Sequence, residues 1–382
     1  MRATRRESPL QSSALMYVAV PPPVTGLSVC TENLVERMRE RAYPHAVVNY
    51  ARPFKSGLAA KVGHAARAAS LPVQGHLRAR KLPGKVVTYL QVGASNQSFV
   101  RDLPILAHAK KTGSPVVAHL HNSVFKQAFD AAPRALRWAL RHALRDVARV
   151  VVLAESLRDL FAGLVPDERV VVIDNGVERS VANRGAAARL ERSGPELNVL
   201  FLSNLMAGKG YLEVMEAARL ASERGLPHQF VMVGMETPTT SVLPDAFAQQ
   251  HGLSNLTWPG GAFGSQKADY LERADVLVLP TALAEGQPLT LLEAMHFGRP
   301  VITSPSGAIP DLIRDGEHGA LIPPRDPQAI LAALERLSDV ERWQTIARHN
   351  RAEAQRRFTL EAHGDAVISL LEEVAAEAER AG

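Results

Sequence analysis

The 382-residue chain lacks several features that mark specialised protein classes. It has one cysteine, Cys30, so it forms no internal disulfide and suits a reducing cytoplasm. It has no run of about eighteen apolar residues, so we expect no membrane-spanning helix. The N-terminal segment combines basic residues with a short apolar stretch at 14–20, as a signal peptide does, but no small-residue cleavage pattern follows. We therefore interpret that stretch as a buried first strand.

Two motifs of cofactor and metal chemistry are also missing. After the first apolar run the chain reads PPPVTGLSV, with Gly26 as its one glycine, so the G-x-G-x-x-G fingerprint of nicotinamide and flavin dehydrogenases is absent. His119 and His121 stand two residues apart at a predicted strand end and face one side. A metal pair is conceivable there, but no third ligand of known spacing and no H-E-x-x-H motif accompanies them. We therefore expect no metal site.

Acidic residues are scarce in the first half of the chain. Residues 1–180 hold 26 basic and 13 acidic side chains, whereas the remainder holds 18 and 26. Residues 51–85 contain eight basic side chains and no acidic one. A basic half beside an acidic half predicts two modules with different partners.

Short apolar runs that do not alternate with polar residues recur between amphipathic helical patterns. This order predicts parallel sheets that are covered on both faces. The pattern predicts a first Rossmann-like domain at 1–180, a polar linker at 181–195, a second Rossmann-like domain at 196–360 and a helix at 361–382. We expect the two doubly wound domains to face each other across a cleft, and the last helix is a candidate to pack back on the first domain. The ten runs are ALMYVAV, KVVTYLQV, SPVVAHL, ARVVVLA, RVVVID, LNVLFLS, HQFVMVG, ADVLVLP, RPVITS and HGALIPP.

The densest cluster of polar signals lies in AEGQPLTLLEAMHFGRPVIT, residues 284–303, where Glu285 and Glu293 stand eight apart. On one helix that spacing gives about 12 Å, beyond the roughly 5–9.5 Å between the paired carboxylates of a glycoside hydrolase. Two separate contacts to one long polar ligand explain the pair better. We place Glu285 before a helix and Glu293 two turns into it, with free amides near Gln287 to Thr290 suited to phosphate. The alternative is a capping glutamate and a solvated one on an ordinary helix.

The stretch EGQPLTLLEAMHFGRPVITSPSGAIPDLIRDGEHGALIPPRDPQAI resembles the signature of retaining glycosyltransferase family 4, which has the GT-B fold. The segments NVLFLSNLMAGKGYLEVMEAARL, VVVIDNGVE, VVAHLHNSVF and RVVVLAESLRDLF resemble further parts of that family. The resemblance implies that Glu285 contacts the donor sugar and Glu293 the ribose hydroxyls. From the amides at the predicted start of the helix, we also expect donor binding by the segment Gly286, Gln287, Pro288, Leu289 and Thr290.

Three further positions take their roles from the resemblance. Lys209 matches the lysine that holds the donor diphosphate, while Asn204 stands where the family has an arginine, so the guanidinium fork is missing. His121 matches a histidine that faces the donor sugar and phosphates, with His119 deeper or on the same wall. Gly26 matches the loop whose backbone approaches the diphosphate. The alternatives are that Lys209 is a surface lysine, that His121 is a structural histidine and that Gly26 is a simple loop glycine.

The implied reaction is metal-free transfer with retention at the anomeric carbon and no cofactor. The chain has no Asp-x-Asp, which metal-dependent glycosyltransferases use to hold a divalent ion. The implied partners are a nucleoside-diphosphate sugar and a glycan or lipid-diphosphate-linked acceptor, in surface polysaccharide or glycolipid synthesis. A nucleotide-sugar epimerase and a non-catalytic sugar-nucleotide-binding relative are the alternatives.

The basic segment 51–85 has apolar residues at helical spacing between its cations. Such a segment can lie on an anionic membrane. We therefore expect a cytoplasmic protein that associates peripherally with the inner face of the membrane. A basic face that only keeps the protein soluble is the alternative, and no nucleic-acid recognition motif accompanies the charges.

Overall fold

The computed structural model describes residues 12–51 and 58–381, except for the side chains of residues 58–66. The chain divides into two compact units. Unit 1 comprises Met1–Asp174 and Leu360–Gly382, and unit 2 comprises Asn175–Thr359. The first division therefore falls six residues before the predicted boundary at 180.

Unit 1 is built on a six-stranded parallel sheet in the order β2-β1-β3-β4-β5-β6. Strand order reverses between β1 and β3, so their carboxyl ends flank the crevice where doubly wound sheets bind ligands. Its strands are β1 (Ser12–Val18), β2 (His45–Asn49), β3 (Lys85–Val92), β4 (Val116–Leu120), β5 (Arg149–Val152) and β6 (Val170–Val172). Its helices are α1 (Gly26–Glu40), α2 (Leu58–Ala79), α3 (Asn96–Thr112), α4 (Phe125–Ala131) and α5 (Arg134–Leu144), with 3₁₀ turns at Glu155–Phe161 and Asp167–Arg169.

The last helix of the chain belongs to unit 1. Helix α14 (Leu360–Ala381) packs on α1, β1 and β3 through buried Val367, Leu371 and Val374. Its acidic face pairs with basic groups of the unit, as where Arg149 contacts Glu373 at 2.9 Å and Glu377 at 2.6 Å. With α14 included, unit 1 holds 26 basic and 18 acidic residues and unit 2 holds 18 and 21, so the charge asymmetry is smaller than the halves of the sequence indicate.

Unit 2 has its own six-stranded parallel sheet, in the order β12-β11-β10-β7-β8-β9. The order reverses between β7 and β10, which is the Rossmann arrangement, so a ligand crevice is expected at the carboxyl ends of these two strands. The strands are β7 (Asn198–Leu202), β8 (Gln229–Val233), β9 (Leu256–Gly260), β10 (Val276–Leu279), β11 (Val301–Thr303) and β12 (Gly319–Leu321). The helices are α6 (Arg179–Ala187), α7 (Tyr211–Glu223), α8 (Pro244–His251), α9 (Ser265–Arg273), α10 (Leu289–His296), α11 (Ile309–Leu312), α12 (Pro327–Leu337) and α13 (Val340–Arg357).

The predicted polar linker at 181–195 is instead largely part of unit 2. Helix α6 packs on α9 and α10, with Val181 and Gly185 buried. A Cβ on Gly185 would lie 2.7 Å from the backbone of His296, so the small residue permits close contact between α6 and α10. Arg192 is also buried and donates to the carbonyls of Leu337 and Ser338. The small residues of this stretch serve helix packing rather than a flexible connection.

All ten predicted apolar runs contain a strand, and the prediction of two parallel, doubly wound sheets is confirmed. The first of them, β1, is buried along its whole length, as expected for the stretch at 14–20. Across residues 12–51 and 58–381, none of the helices has the length and apolarity that crossing a membrane requires. Residues 52–57 of the basic segment lie outside the described residues.

Candidate active site

The loops that follow β7, β10 and β11 meet at the carboxyl edge of the unit 2 sheet. Gly210 adopts φ +87° against Pro280, and a Cβ there would lie 2.5–2.8 Å from that proline. Gly307 adopts φ +63° against Glu285, where a Cβ would lie 2.1 Å from the Glu285 carbonyl oxygen. A side chain at either glycine would be strained and would push the loops apart. The two glycines therefore hold three loops together at the crevice.

Glu285 and Lys209 form an ion pair across this crevice. The Lys209 Nζ lies 2.6 Å from Glu285 Oε1, and the two side chains are 19% and 13% exposed. Thr281 also donates its hydroxyl to Glu285 Oε1 at 2.9 Å. Lys209 follows β7 and Glu285 follows β10, the two strands where the sheet order reverses. The structure thus brings together the residues predicted to contact the diphosphate and the donor sugar.

Glu293 forms a second ion pair, deeper in unit 2. Its side chain is 2% exposed, and Oε1 lies 2.5 Å from Nζ of Lys267, on α9. Its other oxygen, Oε2, is buried and has no hydrogen-bond partner within the described part of the chain. Burial raises the pKa of this carboxyl group and the Lys267 ammonium opposes that rise, while Glu178 adds to it. A buried acceptor with one oxygen unused is suited to a ligand with hydroxyl donors.

Helix α10 begins later than the sequence predicts. It runs from Leu289 with Pro288 at its N-cap, so Glu293 lies little more than one turn into it rather than two. The cause is the proline, which disfavours the helical conformation in the residue before it, so the helix begins only after Pro288. Pro288, Leu289 and Thr290 are half-buried, whereas Gly286 is buried.

The side chain of Gln287 serves a structural role. Its Oε1 accepts from the Asn175 amide at 2.6 Å, and its carbonyl accepts from Asn175 Nδ2 at 3.2 Å. The Gln287 side chain is therefore engaged by Asn175 within unit 2 rather than presented to a donor.

Asn204 is exposed and lies beside the loop that follows β8. Its Oδ1 accepts from the Met235 amide at 3.3 Å. An amide side chain in this place stabilises the loop but supplies no positive charge to a phosphate.

In unit 1, Gly26 opens α1 after Thr25, whose hydroxyl accepts from the Ser28 amide in a capping box. A Cβ on Gly26 would meet nothing within 4 Å, so the position is open but does not require glycine.

His121 follows β4 in unit 1, and its ring stacks on His119 with centroids 4.0 Å apart. The two rings therefore lie on one side, as the spacing predicts. His119 is fully buried, and its Nδ1 lies 2.5 Å from the Tyr89 hydroxyl. Burial lowers the pKa of His119 well below its usual range, and His121 and His363 lower it further. The His119 ring is thus neutral at physiological pH.

Sequence reasoning missed Lys267 and Thr281. Lys267 is 26 residues from Glu293 in sequence, and its one signal is that residues 175–359 contain only two lysines.

Within the described residues, Glu317, His318 and His349 form a group compact enough for a metal. His318 already uses both ring nitrogens, accepting from the Arg314 amide and contacting Glu353, so these residues form a protein network instead.

Protein-family models match both units of the chain. The glycosyl transferase 4-like domain model matches residues 25–176, and the glycosyl transferases group 1 model matches residues 196–339. The chain is 26% identical to the alpha-D-kanosaminyltransferase of Streptomyces kanamyceticus, over 89% of this chain and 98% of that protein. It is 29% identical to the amylovoran biosynthesis glycosyltransferase AmsK of Erwinia amylovora, over 56% of this chain and 54% of that protein.

Solved structures share the fold at low identity. Anabaena Alr3699/HepE in complex with UDP and glucose gives a TM-score of 0.68 at 16% identity, covering 94% of this chain and 100% of that chain. The sucrose-phosphate synthase of Thermosynechococcus elongatus gives 0.72 at 18% identity, covering 96% and 100%. These likenesses confirm the fold predicted from the sequence.

Proposed function

The chain belongs to glycosyltransferase family 4, and from that membership we propose that it transfers a sugar with retention of anomeric configuration. The proposed donor is a nucleoside-diphosphate sugar held by unit 2. The proposed acceptor is a saccharide or a lipid-linked glycan, in surface polysaccharide or glycolipid synthesis. The named functions of relatives such as the amylovoran enzyme support that setting.

The observation that carries the proposal is the Lys209–Glu285 ion pair at the point where the strand order of unit 2 reverses. A nucleoside-diphosphate sugar carries its negative charge between a sugar and a ribose. In the proposal, the Lys209 ammonium stabilises the leaving diphosphate and Glu285 accepts from sugar hydroxyls. Both side chains are more than four-fifths buried, so their charges act with less screening than surface charges.

The rest of the donor site follows from α10 and Glu293. The first amides of α10 supply hydrogen-bond donors to a phosphate, and Glu293 accepts from the ribose hydroxyls. Asn204 contributes no guanidinium, so Lys209 carries more of the diphosphate charge than the family pattern requires. His121 keeps the role that the resemblance gives it, a contact with the donor.

We propose that the reaction needs no metal ion and no protein base. The departing phosphate oxygen takes the proton of the acceptor hydroxyl as the glycosidic bond to the donor breaks and the new one forms. Lys209 and the α10 amides offset the charge that develops on the leaving group. Removal of divalent ions with a chelator is therefore expected to leave activity unchanged.

For localisation we propose a cytoplasmic protein that associates with the inner face of the membrane. The exposed face of α5 supports this proposal independently of the 51–85 segment. Trp138 is 71% exposed there, Arg134 and Arg141 are exposed on the same helix, and Arg145 is exposed at its C-cap. An exposed indole ringed by cations is the composition of an interfacial helix.

Donor incubation tests the proposal against its two alternatives. The purified protein is incubated with UDP-, GDP- and ADP-sugars, with and without glycan acceptors, and products are identified by mass spectrometry and NMR. The proposal expects a glycoside with the anomeric configuration of the donor. Conversion of the donor to an epimer would favour an epimerase, and binding without turnover on any acceptor would favour a non-catalytic relative.

A further inference from the structure

The only two lysines of unit 2 each contact one of the two glutamates of the 285–293 segment. Lys209 contacts Glu285, and Lys267 contacts Glu293. Family membership gives a role to the first lysine and leaves the second without one. Lys267 reaches Glu293 from α9, which is a different element, so the contact is not a neighbour pair on one helix.

The environment of Glu293 indicates what this contact does. The carboxyl group is 2% exposed, and a buried carboxylate must be paired to remain charged. Lys267 occupies Oε1 at 2.5 Å, and the buried Oε2 has no partner among the described residues. The group is therefore anchored through one oxygen and unsatisfied at the other, which is the state expected of a ligand acceptor before its ligand binds.

We propose that Lys267 is a positioning residue for the nucleotide, because it holds Oε1 of Glu293 and so presents Oε2 to the ribose hydroxyls. This inference rests on the proposed function, since it assumes a nucleoside diphosphate as ligand. Lys267 touches the glutamate and not the reacting atoms, so it acts on nucleotide affinity more than on the chemical step.

The same contact gives nucleotide binding a pH dependence. Burial raises the pKa of Glu293, Glu178 raises it further and Lys267 opposes both. His296 on α10 and Arg351 on α13 bond backbone carbonyls instead. Without the lysine the pKa of Glu293 rises, so at neutral pH a larger fraction of this carboxyl group is protonated. The protonated group is a weaker acceptor for the ribose hydroxyls. Raising the pH restores the carboxylate and with it the affinity.

The experiment measures UDP, GDP and ADP affinity by calorimetry from about pH 6 to about pH 9. It compares the wild-type chain with Lys267→Met, Lys267→Arg and the control Arg184→Met. Arg184 pairs with Asp269 at 2.7 Å and with Glu272, both on α9, so its loss perturbs the same helix without touching Glu293. We expect Lys267→Met to bind the nucleotide about tenfold more weakly at pH 7, as loss of a charged hydrogen-bond acceptor predicts. The loss should shrink as pH rises, Lys267→Arg should restore most of the affinity, and Arg184→Met should match the wild type.

A double variant keeps the inference testable if Lys267→Met destabilises the fold. With Glu293→Gln there is no charge to hold, so adding Lys267→Met should weaken nucleotide binding no further. Equal affinity and a parallel pH profile for Lys267→Met and wild type would overturn the inference while leaving the nucleotide site intact. Absence of binding of all three nucleotides to the wild-type chain would overturn the proposed donor site, and the inference with it.

Discussion

The carboxyl edges of the two sheets arrange their polar groups differently. In unit 2 the groups are ion pairs, Lys209–Glu285 and Lys267–Glu293, each at least four-fifths buried. In unit 1 the ion pair is Arg101–Asp102, between neighbours on α3 that also bond the backbone of Gln91 and Gly93. It is accompanied by a stacked pair of rings, His119 and His121. Both sheets are parallel and doubly wound, so the fold alone does not set this difference.

The difference indicates that the two units bind different chemical groups, which their shared topology does not reveal. Burying an ion pair costs desolvation free energy. A nucleoside diphosphate is a ligand that needs both cations and hydrogen-bond acceptors. Neutral rings suit hydroxyl groups, which the donor sugar and a sugar acceptor both offer. We therefore expect charge deletions at the two unit 2 pairs to impair donor binding and turnover, and deletions of exposed charges in unit 1 to leave both nearly unchanged.

The largest expected effect follows from Lys209→Ala. We expect kcat/KM to fall at least a hundredfold, about 2.7 kcal/mol, because the leaving diphosphate loses its ammonium. Steady-state kinetics with the active donor measures it. The matched control in unit 1 is Lys126→Ala, which breaks an exposed pair with Asp130 at 2.7 Å and should stay within about twofold. Near-full activity of Lys209→Ala would mean that another group holds the diphosphate.

Glu293→Ala tests the second pair. We expect donor binding to weaken between several-fold and about a hundredfold, because the ribose loses a charged acceptor. Calorimetry with the nucleotide measures the change. Unchanged affinity would remove the ribose role of Glu293 and leave the buried pair as a structural feature.

The basic surface of unit 1 should matter for lipid and not for donor. Arg141→Glu with Arg145→Glu reverses two exposed charges, one on α5 and one at its C-cap, each worth about 1 kcal/mol near an anionic surface. We expect the variant to lose most of its flotation with anionic liposomes at low salt, while donor affinity stays unchanged.

Arg336→Glu with Arg342→Glu, exposed on α12 and α13 of unit 2, is the matched control and should float as the wild type does. If the wild-type protein ignores anionic liposomes at low ionic strength, the membrane proposal fails and a soluble acceptor replaces it.

The smallest expected effect concerns the histidine pair of unit 1. The pKa of His119 is lowered in the folded chain, whereas an unfolded histidine titrates near about 6.5. As pH falls through that value, the unfolded state takes up a proton that the folded state resists, so stability is lost toward acid.

His119→Gln removes this titration. Its free energy of unfolding should depend on pH less steeply than that of wild type between about pH 7 and about pH 5, by up to about 1.4 kcal/mol per pH unit. Denaturant unfolding at several pH values measures the slopes, and His142→Gln on the exposed face of α5 is the control. Equal slopes for His119→Gln and wild type would show that His119 is not held neutral.

The sequence predicts every inner strand of both sheets but misses two of the four edge strands. The strands outside the ten predicted runs are β2 and β9, and each is the outer strand of its sheet. Residues of β2 are mostly half-buried, and β9 carries Pro259 and an exposed Thr257. A strand with one open side tolerates fewer apolar residues, and in β2 and β9 the sequence pattern is too weak to predict a strand, unlike in the edge strands β6 and β12.

The candidate site was predictable where a residue lies next to a recognisable motif. Glu285, Glu293 and Lys209 are such residues, and the structure places the first and third in contact. Lys267 was not predictable, because α9 brings it to Glu293 across 26 residues and no local pattern marks it. The sequence predicts too early a start for α10, because the helix begins only after Pro288. It predicts a linker in place of α6, because the small residues that let α6 pack against α10 resemble those of a loop.

The central claim is that unit 2 binds a nucleoside diphosphate through its two lysine–glutamate pairs. A crystal structure with the nucleotide that binds most tightly among UDP, GDP and ADP tests it most directly. The account predicts ribose hydroxyls within hydrogen-bond distance of Glu293 Oε2, a phosphate oxygen beside Lys209 Nζ, and Lys267 still on Glu293 Oε1. A nucleotide bound elsewhere, or bound here with its ribose away from Glu293, would contradict it.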